Sequence, residues 1–256
     1  MAKQVKPKPY PTEVDLCSAF LALVPKEWTA YAETAGWDIL LVRKEDGFQI
    51  GIEAKLRLKT EVINQTIEEY GYIGCDRAGP DCRAVLVPDG DDGGFNRIAA
   101  YIGFTIIRMQ PTEAWSRRPD FHPSLPKITD RYGSMDHWHE WAPTKRHELP
   151  EYVPDVRAGS PSPIQLTAWK IGALKLQATL EANGFLTRSD FRSFGLDHRR
   201  WLAREFQWLQ PSSEGYIKGP YFPDFGKQHP IVFEQVKTDL AAQTKKVKTA
   251  QAGLLI

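Results

Sequence analysis

Residues 36–56 read GWDILLVRKEDGFQIGIEAKL, and the fold turns on how they pair. Trp37–Arg43 is a nearly unbroken apolar run, the pattern of a strand buried on both faces. Lys44-Glu45-Asp46-Gly47 has the composition of a turn. Phe48–Leu56 is then the returning strand. A four-residue loop pairs Arg43 with Phe48, and that register sets Asp38 directly opposite Glu53. Lys55, two residues on, points to the same face as Glu53. Two acids and a lysine thus converge at one end of a buried hairpin. Facing like charges destabilise a sheet unless something compensates them. Two hard oxygen ligands completed by waters and a substrate phosphate suit Mg²⁺.

Working outward, Thr12 is the expected N-cap of a helix over Glu13–Val24. After the hairpin come a helix over Thr60–Tyr70 and a short buried strand over Ala84–Pro88. The Asp89–Gly94 loop leads to a helix over Asn96–Ile102 and a strand over Thr105–Met109. A hairpin followed by strands linked through helices predicts an α/β fold with a mixed sheet flanked by helices.

The pattern Asp38, then Glu53-Ala54-Lys55, resembles the D…(D/E)-x-K signature of the PD-(D/E)XK nuclease superfamily. The resemblance extends over about Thr12 to Met109 and implies a restriction-endonuclease-like fold. It also implies roles: Asp38 and Glu53 ligate Mg²⁺, with Mn²⁺ as a substitute, and the Ala54 carbonyl adds an oxygen. Lys55 orients the attacking water and stabilises charge on the phosphate. For the acid that many members carry on the first helix, Glu13 is the candidate, with Asp15 and Glu33 as competitors. Gln65 is carried over as a residue behind the metal ligands. Its companion Tyr70 is five positions away and does not match the family spacing, and Trp37 stands where many members have proline. The same acids and lysine also arise on a solvated edge strand, as an ordinary surface pair. Apolar Ile50, Ile52 and Leu56 around them oppose that reading.

The expected division is a nuclease-like domain over 1–112, a Pro-rich connector over 113–162, and a second domain over 163–256. In the last, Leu166, Trp169, Ala173, Leu176 and Leu180 form the apolar stripe of a helix closed by Gly184. Thr187-Arg188-Ser189-Asp190 is a capping box opening a short helix. Asp197 caps a third helix over His198–Leu209, with Arg199, Arg200, Arg204 and Gln207 on or beside its polar face. A Ser-Ser-Glu-Gly turn leads into a small hairpin around Tyr216–Phe222. Three helices and a hairpin look like a winged helix, whose last helix enters the DNA major groove. Equally, such arginines are the ordinary solvated side of a helix. Residues 163–256 hold 13 basic and 8 acidic residues, a net +5, against −4 for the rest. Lys237, Lys245, Lys246 and Lys248 would add salt-sensitive phosphate contact.

Charged residues at 25% and hydrophobic residues at 42% exclude a wholly disordered chain. No bilayer-length apolar run and no secretory signal are evident, so a cytoplasmic protein with no membrane contact is expected. Cys17, Cys75 and Cys82 read as ordinary reduced thiols. His137 and His139 read as packing or surface residues, and Asp89–Gly94 as a turn lacking EF-hand spacing. Neither a phosphate-binding P-loop nor a GxSxG elbow is present.

The expectation is a Mg²⁺-dependent nuclease acting on DNA rather than RNA, as a homodimer or within a larger DNA-processing complex. Its architecture is also similar to the strand-cleaving subunit of some heteromeric transposases. The alternatives are a non-catalytic nucleic-acid-binding or adaptor protein on the same scaffold, and a protein-interaction module.

Overall fold

The computed structural model describes residues 9–58, 78–90, 95–110, 120–129 and 137–253. The chain divides into two compact units, one of residues 1–149 and 156–163, the other of 150–155 and 164–256.

The first unit is a mixed α/β layer structure. Its elements are α1 (Glu13–Leu21), β1 (Trp28–Thr34), β2 (Trp37–Arg43), β3 (Gln49–Ala54), β4 (Cys82–Pro88), α2 (Phe95–Ile102), β5 (Thr105–Gln110) and β6 (Asp120–His122). The six strands lie in sequence order in one sheet. The β1–β2, β2–β3 and β5–β6 pairs are antiparallel, and β3–β4 and β4–β5 are parallel.

The hairpin has the expected register. Ile39 pairs with Ile52 and Val42 with Gln49, and the Arg43 amide donates to the Phe48 carbonyl at 2.8 Å. Gly47 closes the turn at φ +71°, a left-handed conformation that glycine adopts without steric cost. The Arg43 guanidinium grips Asp46 with two bonds of 2.8 and 2.6 Å, and that bond holds the Asp46 carboxyl down at about 2.

Two strands were not expected. β1 adds to the free edge of β2, and β6 to the edge of β5. In Trp28-Thr29-Ala30-Tyr31-Ala32-Glu33-Thr34 the small alanines hide the alternation, so the β-prone residues do not read as a strand. The first helix stops at Leu21 rather than Val24. Its cap is the expected one: Thr12 and Asp15 satisfy each other's backbone amides in a capping box. The expected helix over Thr60–Tyr70, with Gln65, lies outside the described residues, as do Cys75 and residues 91–94.

Leu16, Cys17 and Phe20 of α1 pack on Ile39, Leu41, Ile50, Ile52 and Leu86 of one sheet face. Val85, Val87, Ala99, Phe104 and Ile106 form a separate cluster with Leu58. Cys17 and Cys82 are free and buried. Burial pushes the Cys82 thiol up to about 12, which leaves it an inert core residue. The Pro-rich stretch is no bare connector, since Trp138 is buried and its indole donates to the Ser124 carbonyl at 2.9 Å.

The second unit contains α3 (Ala168–Asn183), α4 (Arg188–Ser193), α5 (His198–Leu202), β7 (Leu209–Pro211), β8 (Tyr216–Lys218), α6 (Phe225–Gln228) and α7 (Pro230–Gly253). Thr167 caps α3, and Gly184 ends it at φ +81°. The capping box of Thr187 and Asp190 opens α4 as expected. Trp169, by contrast, is 37% exposed, at the margin of the apolar stripe rather than within it.

The third helix is corrected. It ends at Leu202 rather than Leu209, and β7 begins where the helix was expected to close. Seven helical residues would separate Trp201 and Trp208 by about 10 Å of rise. Their rings instead meet at 5.4 Å, so the chain folds back, with Gln207 at φ +47°. Trp201 is 1% exposed and touches Phe191, Trp208, Phe222 and Phe225. Trp201→Ala is expected to cost about 3–5 kcal/mol in urea unfolding, the toll of emptying a large aromatic site. A loss under 1 kcal/mol would show that this cluster does not hold the unit together.

Candidate functional site

The end of the central hairpin gathers acids from four elements. Asp38 and Glu53 lie one step beyond the Ile39–Ile52 pair. The pairs Ala32–Ile39 and Thr34–Trp37 flank Glu33, which leaves it across from Asp38. Three carboxylates therefore stand level on neighbouring strands, and Glu13 comes in from the first turn of α1. Glu33 belongs to β1, not to the first helix. Asp15 is engaged in the cap of α1 through Thr12.

Lys55, just past β3, is the common partner. Its Nζ lies 3.5 Å from Glu13 Oε2, 3.8 Å from Asp38 Oδ2 and 3.9 Å from Glu53 Oε2. The Ala54 amide donates to Asp38 Oδ2 at 2.7 Å, which aims that carboxylate along the strand end. The Lys55 amide donates to the Leu86 carbonyl at 2.9 Å and ties the lysine to β4. Asp38, Glu53, Ala54 and Lys55 are thus held on a rigid sheet, and Glu13 is fixed by a capped helix.

The charges are strongly coupled. Burial, then the nearby Asp38, push the Glu53 carboxyl up to about 8. Burial and Asp38 also raise Glu33, against the amides of Ser160 and Gly159 that bond its carboxylate. Burial by itself would lower Lys55, but Asp38, Glu13 and Glu53 outweigh it and hold the ammonium above its ordinary value. Lys55 is the counter-charge of the cluster. Among the described residues no three His, Cys, Asp or Glu side chains close on a point that could hold a metal ion.

The Glu53 carboxyl keeps its proton to about pH 8 in the folded chain, against an ordinary value of 4.5. Folding takes up a proton between these values, so stability falls as pH rises through that window. Glu53→Gln removes the penalty. It is expected to stabilise the chain by up to about 4 kcal/mol at pH 8 and by little at pH 4.5. Urea unfolding at both pH values measures this. A gain that does not grow with pH would mean that Glu53 is not the group responsible.

The site opens into a cleft of about 810 Å³, whose wall includes Trp37, Arg83, Gly159 and Ser160. Two lining residues escaped the sequence reading. Arg83 is 2% exposed and lies against the rings of Trp37 and Trp141, at 5.6 and 4.8 Å. Ser160 comes from the far end of the Pro-rich stretch, and its amide donates to Glu33 at 3.2 Å. Arg83 carries no motif, and the contact of Ser160 with Glu33 spans 127 positions, so only the folded chain brings them in.

In the second unit Arg199, Arg200, Arg204 and Gln207 are all exposed. The helix presents only Arg199 and Arg200, since Arg204 and Gln207 follow its end. Arg200 lies 5.7 Å from the Phe206 ring. Strands β7 and β8 form a hairpin closed by residues 212–215, where the expected Ser-Ser-Glu-Gly turn stands. Among the described residues no helix is long and apolar enough to cross a membrane.

Comparison with protein-family models, curated proteins and solved structures finds no match to this chain. The functional reading therefore rests on the residues themselves.

Proposed function

We propose that the chain is a Mg²⁺-dependent nuclease that hydrolyses phosphodiester bonds in DNA, with a restriction-endonuclease-like catalytic unit. The observation that carries this reading is Lys55 set within 4 Å of Glu13, Asp38 and Glu53 at the floor of an open cleft. The donor set suits the ion, since every candidate ligand is a hard oxygen. Asp38 and Glu53 would hold Mg²⁺, with Glu13 and the Ala54 carbonyl as further oxygens. The ion would neutralise phosphate charge and polarise a bound water.

The chain supplies the rest. The Ala54 amide keeps Asp38 aimed at the strand end. The Lys55 ammonium lines the same cleft, where it would orient the attacking water and stabilise negative charge on the phosphoryl group. Exposed Arg199, Arg200, Arg204 and Gln207 in a winged-helix-like second unit would grip DNA phosphates, an attraction that salt weakens.

A non-catalytic nucleic-acid-binding or adaptor protein is the second reading. It draws on the lack, among the described residues, of three side chains already closed around a metal point. Incubating the purified chain with circular and linear DNA, with Mg²⁺, Mn²⁺ or chelator, separates the two. Metal-dependent loss of DNA supports the nuclease, and binding without cleavage supports the adaptor. Disappearance of the circular substrate marks internal cutting, and loss of the linear one alone marks digestion from ends.

A further inference from the structure

Three of the chain's six histidines line one small pocket far in sequence from the acidic hairpin. His122 lies on β6, paired across the ladder with Arg108 of β5. The His137 carbonyl accepts a bond of 2.5 Å from the Thr105 hydroxyl of β5. Both backbones are therefore anchored to the same strand, and their imidazoles meet with ring centres 5.1 Å apart and planes at 75°. The pocket they share measures about 230 Å³ and is also lined by His139, Arg108 and Asn96.

We propose that His122 and His137 form a binding site for a borderline-soft divalent transition metal such as Zn²⁺. Two imidazoles on one tetrahedral zinc, each about 2.0–2.1 Å from the ion, place their ring centres roughly 5 Å apart, close to the separation in this structure. Imidazole nitrogens suit zinc and its neighbours and do not suit Mg²⁺, so the site differs in chemistry from the carboxylate cluster. At about 30 Å³ per water, the pocket has room for an ion with several waters or a small ligand. His139 lines the same pocket, but its side chain does not close with the other two on one point, so the remaining positions on the ion would be filled by water or a small ligand. The Arg108 guanidinium at the wall, bonded to Asn96, favours an anionic oxygen in the open position. The sequence holds His137 and His139 in one short run, but only the β5–β6 pairing brings in His122.

The test is titration of the full chain with Zn²⁺ against a chromophoric indicator, with Co²⁺ absorption as a second readout. With excess Mg²⁺ present to occupy the acidic cluster, one equivalent bound at micromolar strength is expected, with a Co²⁺ spectrum of nitrogen ligation. His122→Ala and His137→Ala should each weaken binding at least tenfold, and excess Mg²⁺ should not compete. His122→Gln and His137→Asn keep the packing volume, and circular dichroism establishes that each variant is folded. Asp38→Ala should bind Zn²⁺ as the unaltered chain does, which separates this site from the acidic one and from the nuclease reading. No binding by the unaltered chain, or unchanged binding in the folded histidine variants, overturns the proposal. So does loss of the ion in Asp38→Ala in place of the histidine variants.

Discussion

For the proposed nuclease, Lys55→Ala is expected to lower metal-dependent DNA cleavage by about 10³-fold or more while leaving divalent-cation binding intact. The two effects separate because the ammonium is not a ligand. In the metal-free chain it is the counter-charge of Glu13 and Asp38, at 3.5 and 3.8 Å. Its removal leaves those carboxylates with more uncompensated charge, so they attract a divalent cation at least as strongly as before. Turnover fails because nothing then orients the water or meets the charge that develops on the phosphoryl group. Calorimetric titration with Mn²⁺ beside a cleavage assay measures both quantities. A variant that cuts as fast as the unaltered chain would place the chemistry elsewhere. A variant that loses cation binding and cleavage together would make Lys55 a structural prop of the cluster.

Gly51→Ala is expected to destabilise the first unit by about 3 kcal/mol, the upper end of the usual cost of overpacking. Gly51 sits in the centre of the sheet, between Leu40 on β2 and Arg83 on β4. A Cβ there would fall 2.3, 2.4 and 2.7 Å from three atoms of the Trp37 indole. The ring has little freedom to retreat. It is 4% exposed, the Arg83 guanidinium lies 5.6 Å from its centre, and its Nε1 donates to His147 Nε2 at 3.3 Å. Either β3 shifts or the indole leaves its place, and Trp37 is the immediate neighbour of Asp38. The midpoint of thermal unfolding should fall by about 6–12 °C, with a weaker affinity for Mn²⁺. A midpoint within 2 °C of the unaltered chain would mean that the indole moves aside at little cost.

How far the chemistry was legible depends on sequence distance. Asp38, Glu53 and Lys55 could be brought together on paper because a strand's side chains alternate strictly and a four-residue turn sets the register. Thr12, Thr187 and Gly184 were readable for a similar reason, since capping acts over three or four residues. The length of the third helix was not readable. Its apolar face continues in sequence to Leu209, yet the ring of Trp208 gains more by folding back onto Trp201 than by continuing the spiral.

The sequence alone determined the α/β character of the first region, the hairpin register, the pairing of two acids with a lysine, and the helix caps. All of these are set by local periodicity and short-range hydrogen bonds. Only the tertiary structure decided that β1 brings Glu33 opposite Asp38 and that Arg83 lines the cleft. It also decided that Ser160 reaches Glu33 across 127 positions and that His122 meets His137. These meetings follow from burial of the two sheet faces and from closure of long loops, whose entropic cost rises only slowly with length. Partners brought together that way carry no spacing rule for a sequence reading to find.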